Sequence, residues 1–259
     1  MFIYEDKHRS VAVVIPAYQE ERLIGVTLSG IPLWVDLIVV VDDASTDQTF
    51  DEIQTFIEIQ GEGRVIKVQR FTENQGVGRA ICAGYQIAEE WGADIAVVMG
   101  ADAQMDPAEI TSLLNALQGD TVYVKGTRMR HPEVKLRMPA IRYWGNRVLS
   151  VFTGWIARMP HLEDAQCGFT ALDLSWLSRL PLEELYPRYG FPNDLLLRLR
   201  EAGAEVAQVE VTPIYGEERS TLSIPRVILP LLGVLSRGLI RRLFKVRPTS
   251  PLPVSRRER

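Results

Sequence analysis

Acids and hydroxyls gather at three places along this chain, and each place directly follows a short apolar run. Val11–Ile15 leads into Pro16-Ala17-Tyr18-Gln19-Glu20-Glu21, and Leu37–Val41 leads into Asp42-Asp43-Ala44-Ser45-Thr46-Asp47. Ile95–Met99 leads into Gly100-Ala101-Asp102-Ala103-Gln104-Met105-Asp106. A carboxylate in such a position can accept hydrogen bonds from ribose hydroxyls and from a base N–H. It can equally hold Mg²⁺ or Mn²⁺, hard cations that prefer oxygen ligands and bridge phosphates. The acids are not equivalent. Asp47 and Asp106 stand where helix caps are expected, and Glu21 reads as a solvated helix residue. Asp102 lies between a buried run and a loop, where an acid needs a partner, so it is the strongest functional candidate.

The elements that must position these groups alternate in kind. Val11–Ile15, Leu37–Val41, Arg64–Val68, Ile95–Met99 and Thr121–Lys125 are β-branched and almost continuously apolar. That pattern predicts strands covered on both faces, as in a parallel sheet. Helices are predicted between them over Glu20–Ser29, Asp47–Gln60, Gly76–Trp91 and Pro107–Leu117, with Asp47 as an N-cap and Pro107 in a first turn. Repeated β-α units give an open, doubly wound α/β sheet that binds ligands beyond the carboxyl ends of its strands. The second half is less regular. It predicts a helix over Met138–Ile156, a strand near Phe169–Leu172, a helix over Asn193–Ala202 and a strand over Val206–Val211. Trp144, Phe152 and Trp155 on the first of these read most simply as core or interface, or as the lining of an acceptor groove. With no Gly/Ser linker and no internal repeat, a single domain over 1–223 is expected.

The chain has 259 residues and a net charge of −4, unevenly placed. Residues 224–259 carry nine Lys or Arg against one acid, Glu258, while the rest carries 20 bases and 32 acids. An acidic body with a basic end does not read as a nucleic-acid binder, whose basic patch should lie on the folded domain. Two cysteines, Cys82 and Cys167, are too few for a disulfide framework, so a cytoplasmic setting is expected. The N-terminal MFIYEDKHRS has no long apolar core and does not read as a signal peptide. The ten uncharged residues of Val227–Ser236 fall well short of the roughly 20 that a membrane span needs.

Several segments together resemble glycosyltransferase family 2, with the GT-A fold, and within it enzymes similar to dolichol-phosphate mannose synthase and other polyprenyl-phosphate glycosyltransferases. They are VVIPAYQEE, VVVDDASTDQT, NQGVGRA (Asn74–Ala80), VVMGADAQMDP, KGTR (Lys125–Arg128), DAQCGF (Asp164–Phe169) and FPND (Phe191–Asp194). The resemblance covers about Val11 to Ser223. It implies an inverting transfer of a sugar from a nucleoside diphosphate sugar to a lipid-linked or saccharide acceptor. Pro16, Ala17, Tyr18, Glu20, Asp43, Ser45, Gly78 and Arg79 would then contact the nucleotide, and Asp102 and Gln104 would meet Mg²⁺ or Mn²⁺ and the diphosphate. Arg128 would lie near phosphate, with Asp164 and Asp194 toward the acceptor. A hydroxyl acceptor would need a general base, for which Asp164 is the candidate; a polyprenyl phosphate is already anionic and needs positioning instead.

Two departures stand out. Gly100 occupies the place of the first Asp in the family's Asp-x-Asp-x-Gln pattern, so the metal site would rest on Asp102, Gln104, water and the diphosphate. The segment Arg219-Ser220-Thr221-Leu222-Ser223 lacks the Gly and Lys common in the dolichol-phosphate enzymes, and Thr170 stands where their Gly-Phe is often followed by Arg.

Other readings remain. A nucleotidyltransferase that makes nucleotide sugars would carry a Gly-rich basic loop after the first strand, where this chain has Pro16-Ala17-Tyr18. Gly100 also allows a catalytically inactive nucleotide-sugar-binding subunit.

As one helix, residues 224–246 would place Arg226, Arg237, Arg241 and Lys245 opposite Ile228, Leu232, Leu235, Leu239 and Leu243. That pattern suits peripheral contact with an anionic membrane on its inner face. Pro248, Pro251 and Pro253 predict a disordered basic tail over 247–259.

Overall fold

Valine and isoleucine pack well on a pleated surface and lose little by being stiff there, which is why the apolar runs become the sheet. The structure, a computed structural model, describes residues 9–214 and 224–244. In chain order the first half runs β1 (Val11–Ala17), α1 (Ile24–Gly30), β2 (Leu37–Asp42), α2 (Thr49–Gln60), β3 (Ile66–Arg70), α3 (Val77–Trp91), β4 (Ile95–Val98), α4 (Ile110–Ala116) and β5 (Thr121–Thr127). The second half runs α5 (Pro132–Arg137), α6 (Ala140–Ala157), β6 (Thr170–Asp173), α7 (Phe191–Glu201), β7 (Glu205–Glu210) and α8 (Ile224–Leu243). All seven strands join one sheet in the order β3-β2-β1-β4-β6-β5-β7. Six run parallel, and β6 runs antiparallel between β4 and β5. Strands β1, β2 and β4 are covered on both faces, whereas the edge strands β3 and β7 keep polar residues such as Lys67, Gln69 and Gln208.

Alternation along the central strands feeds two cores. Ala12, Val14, Leu37, Val39 and Val41 point to the face covered by α3 and α7, where Tyr85, Leu195 and Leu196 pack. Val11, Val13, Ile15, Ile38 and Val40 point to the face covered by α1, α2 and α4. A smaller cluster of Ile156, Ala157, Leu197 and Val234 joins α6, α7 and α8.

The structure corrects three local expectations. The Pro107 segment opens with a 3-10 turn capped by Asp106, whose Oδ1 accepts the Ala108 N–H at 2.9 Å, before α4 begins. Helix α5, started by Pro132, is an element that the sequence reading lacked. Helix α8 is also rotated from the predicted setting. Leu231, Val234, Gly238 and Arg241 face the body, while Leu232 and Leu243 face out. Arg241 therefore does not belong to a solvent-facing basic side: it pairs with Glu201 at 2.9 Å and Asp194 at 3.3 Å. The Arg219–Ser223 segment and the 247–259 tail lie outside the described residues.

Helix α3 rides close on β1 because residue 84 is a glycine. A Cβ there would come within 2.2 Å of Val14 Cγ1, so helix and strand would have to separate. Gly84→Ala should lower stability by about 1–3 kcal/mol, the usual cost of overpacking. Urea denaturation should show the midpoint falling with an unchanged slope.

Candidate active site

The rim is assembled by strand direction. The carboxyl ends of β1, β2 and β4 lie side by side, since Ala17 pairs with Asp42 and Val14 pairs with Val98. Because β6 is antiparallel, its start meets the ends of β4 and β5: Thr170 is registered with both Val98 and Lys125. The residues just after β4 and β5 and those just before β6 therefore converge. Asp102, Arg128 and Asp164 are three of them.

At the β1–β2 end, the Asp43 N–H donates to the Ala17 carbonyl at 2.8 Å. The Asp43 carboxylate accepts the N–H groups of Gln75 at 2.7 Å and Gly76 at 2.8 Å, tying β2 to the loop before α3. Burial raises its pKa, against the lowering effect of those two amides. Asp42 is fully buried; its Oδ1 accepts the Ser45 N–H at 3.0 Å. Its Oδ2 lies 3.0 Å from Arg70 Nε in an ion pair that is not aimed as a hydrogen bond. The Ser45 hydroxyl accepts the Gln19 N–H at 3.1 Å, and the Thr49 hydroxyl accepts the Glu20 N–H at 2.8 Å. Pro16, Ala17, Asp43 and Ser45 are thus held together, with Tyr18 next in the chain and half exposed.

The Asp102 loop is clamped from behind. On α1, buried Thr27 donates to the Ala101 carbonyl at 3.0 Å and accepts the Ala103 N–H at 3.1 Å, bracketing Asp102. Asp102 Oδ1 accepts the Gln104 N–H at 3.1 Å, and burial raises the carboxyl pKa. The same oxygen lies 3.0 Å from where a Cβ on residue 100 would sit. Asp102 therefore leans over Gly100, and a larger residue there would crowd it.

Non-glycine residues with left-handed backbone mark all three loops: Gln19 (φ 60°), Ala44 (φ 60°) and Ala103 (φ 53°). Such strain persists only where surrounding bonds over-determine the loop, and it concentrates at functional sites. A sequence carries no sign of it, because neither Gln nor Ala announces a positive φ.

Asp164 has no exposed surface and is surrounded by donors. Arg128 reaches it through Nε at 2.8 Å, through Nη2 at 3.2 Å and through its backbone N–H at 3.2 Å. Asn146 Nδ2 adds a bond at 2.8 Å and the Gln166 N–H another at 3.2 Å. Burial alone would raise its pKa, but Arg128 and Asn146 bring it down to about 2. Buried Lys125 lies nearby, donating to the Cys167 carbonyl at 2.5 Å; burial lowers its pKa to about 8. The inner edge of α6 completes the scaffold. Ser150 Oγ accepts the Ala165 N–H at 2.9 Å, and Thr153 Oγ1 accepts from Asn193 of α7 at 2.8 Å. Asn146, Ser150 and Thr153 went unmarked in the sequence, although small polar residues four and three apart share one face of a helix and are a readable signal.

Residues 12–181 match the sequence model of Glycosyl transferase family 2. The chain belongs to that family. It is 29% identical over 220 residues to a UDP-N-acetylglucosamine–dolichyl-phosphate N-acetylglucosaminyltransferase of Methanococcus voltae, covering 80% of this chain and 86% of the relative. It is 27% identical over 210 residues to an undecaprenyl-phosphate mannosyltransferase of Micrococcus luteus, covering 80% and 84%. Among solved structures it is similar to glucosyl-3-phosphoglycerate synthase from Mycobacterium tuberculosis in complex with UDP. That match has a TM-score of 0.66 at 20% identity and covers 90% of this chain and 80% of that one. A complex of the same synthase with Mn²⁺, UDP and glucosyl-3-phosphoglycerate aligns at a TM-score of 0.62 and 21% identity, covering 95% and 82%. The fold is GT-A, and the protein is a glycosyltransferase.

Not every expected residue of this glycosyltransferase faces the rim. Gly78 and Arg79, expected at the nucleotide, turn instead to the 182–191 segment. A Cβ on Gly78 would lie 2.6 Å from the Tyr186 carbonyl, and Arg79 donates to the carbonyls of Leu182 and Glu183 at 3.2 and 2.6 Å. Asp194, expected toward the acceptor, accepts the Tyr186 N–H at 2.9 Å and pairs with Arg241, so it clamps α7 to that segment and to α8. Among the described residues, no three His, Cys, Asp or Glu side chains group as a metal cage. Asp102 and Gln104 present the oxygen donors suited to a hard cation that arrives with a diphosphate, a mode needing only one or two carboxylates.

Two outcomes follow from this geometry. The folded pKa of Asp164, about 2, lies below its ordinary 3.8. Its ionised form therefore stabilises the fold above about pH 4 by about 2–3 kcal/mol, and this is lost as the pH falls toward 2. Denaturation midpoints of wild type against Asp164→Asn should converge as the pH drops through that window. Thr27→Val keeps the shape but strands the Ala101 carbonyl and the Ala103 N–H, at a cost of about 1–3 kcal/mol. Thermal and urea unfolding measure that loss, and an unchanged stability would show that the clamp is dispensable.

Proposed function

We propose that the protein transfers a sugar, with inversion, from a nucleoside diphosphate sugar to a polyprenyl phosphate. The observation that carries this reading is the Arg128–Asp164 pair. An effective general base has a pKa near the working pH and room to receive a proton. Asp164 has a pKa of about 2, no exposed surface and five hydrogen bonds already directed at it. It is better suited to aim Arg128 than to deprotonate a hydroxyl, so an acceptor that is already anionic fits best. The relatives named as dolichyl-phosphate and undecaprenyl-phosphate transferases support that acceptor class. The UDP complexes of the similar structures support a nucleotide-linked donor.

In this reading Pro16, Ala17, Tyr18, Glu20, Asp43 and Ser45 hold the nucleoside, and Asp43 does so while fixing the loop that ends at Gly76. Asp102 and Gln104 would hold Mg²⁺ or Mn²⁺. When bound, the cation shields the negative charge that grows on the leaving group. Thr27 keeps Asp102 from shifting as that charge develops. Arg128, oriented by Asp164, offers a planar cation to phosphate oxygens, the bidentate recognition that guanidinium performs best. Among the described residues no helix is long and apolar enough to cross a membrane. The basic 224–259 segment supports peripheral attachment to an anionic membrane at its inner face.

Transfer from a panel of nucleoside diphosphate sugars to a short-chain polyprenyl phosphate, with Mn²⁺ or Mg²⁺, tests the reaction. Arg128→Lys and Asp164→Asn should each lower kcat by about 10²-fold or more, with donor KM nearly unchanged. The double variant should fall little further, because the two residues act as one unit. An Asp164→Asn enzyme that keeps full activity while Arg128→Lys loses it would separate them and sink the positioning role.

A further inference from the structure

Helix α6 turns two different faces to the world. Its inner edge, Asn146, Ser150 and Thr153, is buried against Asp164, Ala165 and Asn193. Its outer face carries Ile141, Trp144, Val148, Val151, Phe152 and Trp155, each at least 54% exposed. At about 100° per residue these six fall within an arc of roughly 100°, the width of an apolar stripe that normally faces a core. No described element covers it. Next to it, α8 exposes Leu232, Ile240, Leu243 and Phe244, and Arg242 joins the two helices by stacking 4.7 Å over the Trp155 ring. An exposed apolar surface of this extent marks a site of association.

The charge around the stripe says with what. From Val134 to Leu162 there are five Lys or Arg and no acid, and α8 has four Arg and no acid, in a chain whose net charge is −4. Exposed Arg142 and Arg147 project on either flank of the apolar arc, and exposed Arg158 caps the helix end. A two-fold contact with a second copy would set this patch against itself, cation against cation. An anionic bilayer instead offers hydrocarbon for the stripe, headgroups for the arginines and an interfacial zone for the tryptophans.

The geometry points to α6 as an interfacial wedge: its outer face enters the surface of an anionic lipid bilayer and sets the orientation of the catalytic rim. An α-helix is about 10 Å across, so Asn146 and the Arg128–Asp164 pair it contacts stand roughly one helix diameter above the lipid. Docking stands independently of the donor chemistry and gives the polyprenyl phosphate reading its spatial basis. It also differs from attraction through the basic C-terminal segment alone, which salt should abolish. Inserted apolar side chains resist salt.

Flotation of the full-length protein with phosphatidylglycerol-containing vesicles at low and high salt tests the wedge. Ile141→Ser/Trp144→Ser/Phe152→Ser removes three exposed side chains and should leave the fold intact by circular dichroism. Val26→Ser/Leu33→Ser/Ile59→Ser removes three exposed apolar side chains elsewhere and serves as the control. The α6 variant should bind at least about tenfold more weakly, a change of about 1.4 kcal/mol or more, and its residual binding should vanish in high salt; the control should bind as wild type does. Brominated-chain lipids should quench wild-type tryptophan emission, and Trp144→Tyr/Trp155→Tyr should abolish most of that quenching. Equal flotation of wild type and the α6 variant would overturn the proposal, as would a wild-type dimer that the α6 variant splits without any change in lipid binding. Flotation needs neither donor nor acceptor. Intact docking with no transfer to polyprenyl phosphate would therefore count against the proposed reaction and leave the wedge standing.

Discussion

A carboxylate with no exposed surface has to be neutralised by its surroundings, and the active rim is built around that requirement. Asp164 takes two guanidinium nitrogens and a backbone N–H from Arg128, an amide from Asn146 and another backbone N–H from Gln166. Removing one partner from such a buried pair leaves an uncompensated charge, which is far costlier than never having had the pair. The pair therefore constrains everything that touches it. The end of β5 must deliver Arg128, the approach to β6 must deliver Asp164, and α6 must turn a polar edge inward. Helix α7 is drawn in as well, because Asn193 bonds both Thr153 and Gln166.

The half of the rim built from the ends of β1, β2 and β4 obeys a different constraint, which is loop shape. Three loops at the ends of β1, β2 and β4 each contain a non-glycine residue in the left-handed region, and each is pinned by side chains from a neighbouring element. Ser45 holds Gln19, Arg70 of β3 holds the Ser45 carbonyl, and Thr27 holds both sides of Asp102. Strained loops that are over-determined in this way do not need to rearrange when charge develops, and this is what electrostatic preorganisation requires. The lean of Asp102 over Gly100 belongs to the same scheme. Here the space that a second acid would fill is taken up by the first acid's own carboxylate.

Helix α6 connects the chemistry to the outside of the molecule. One face completes the charge-neutralising shell of Asp164, and the other is an apolar stripe between arginines. Arg241, read from sequence as part of a solvent-facing basic side, holds α8 to Asp194 and Glu201. The exposed arginines beside the stripe are Arg142, Arg147 and Arg158 of α6 itself, and Arg242 of α8 stacks on Trp155.

Much of this protein is decided locally and can be read along the chain. Strands β1, β2 and β4 lie where β-branched apolar runs predict them, because a strand buried on both faces has no polar alternative. The family motifs mark the residues after β1, β2 and β4, because ligand chemistry at a strand end demands particular side chains in sequence order. What the chain cannot show is anything that depends on direction or partner. Strand β6 reads like any other apolar run, yet its antiparallel setting brings Asp164 to Arg128. The contacts that Gly78 and Arg79 make with residues 182–191, and Asp194 with Arg241 of α8, are equally invisible along the chain, because those neighbours are remote in sequence. The α6 tryptophans look like core by composition alone. Only the assembled fold, in which α6 turns its polar edge inward to Asp164, leaves them outside.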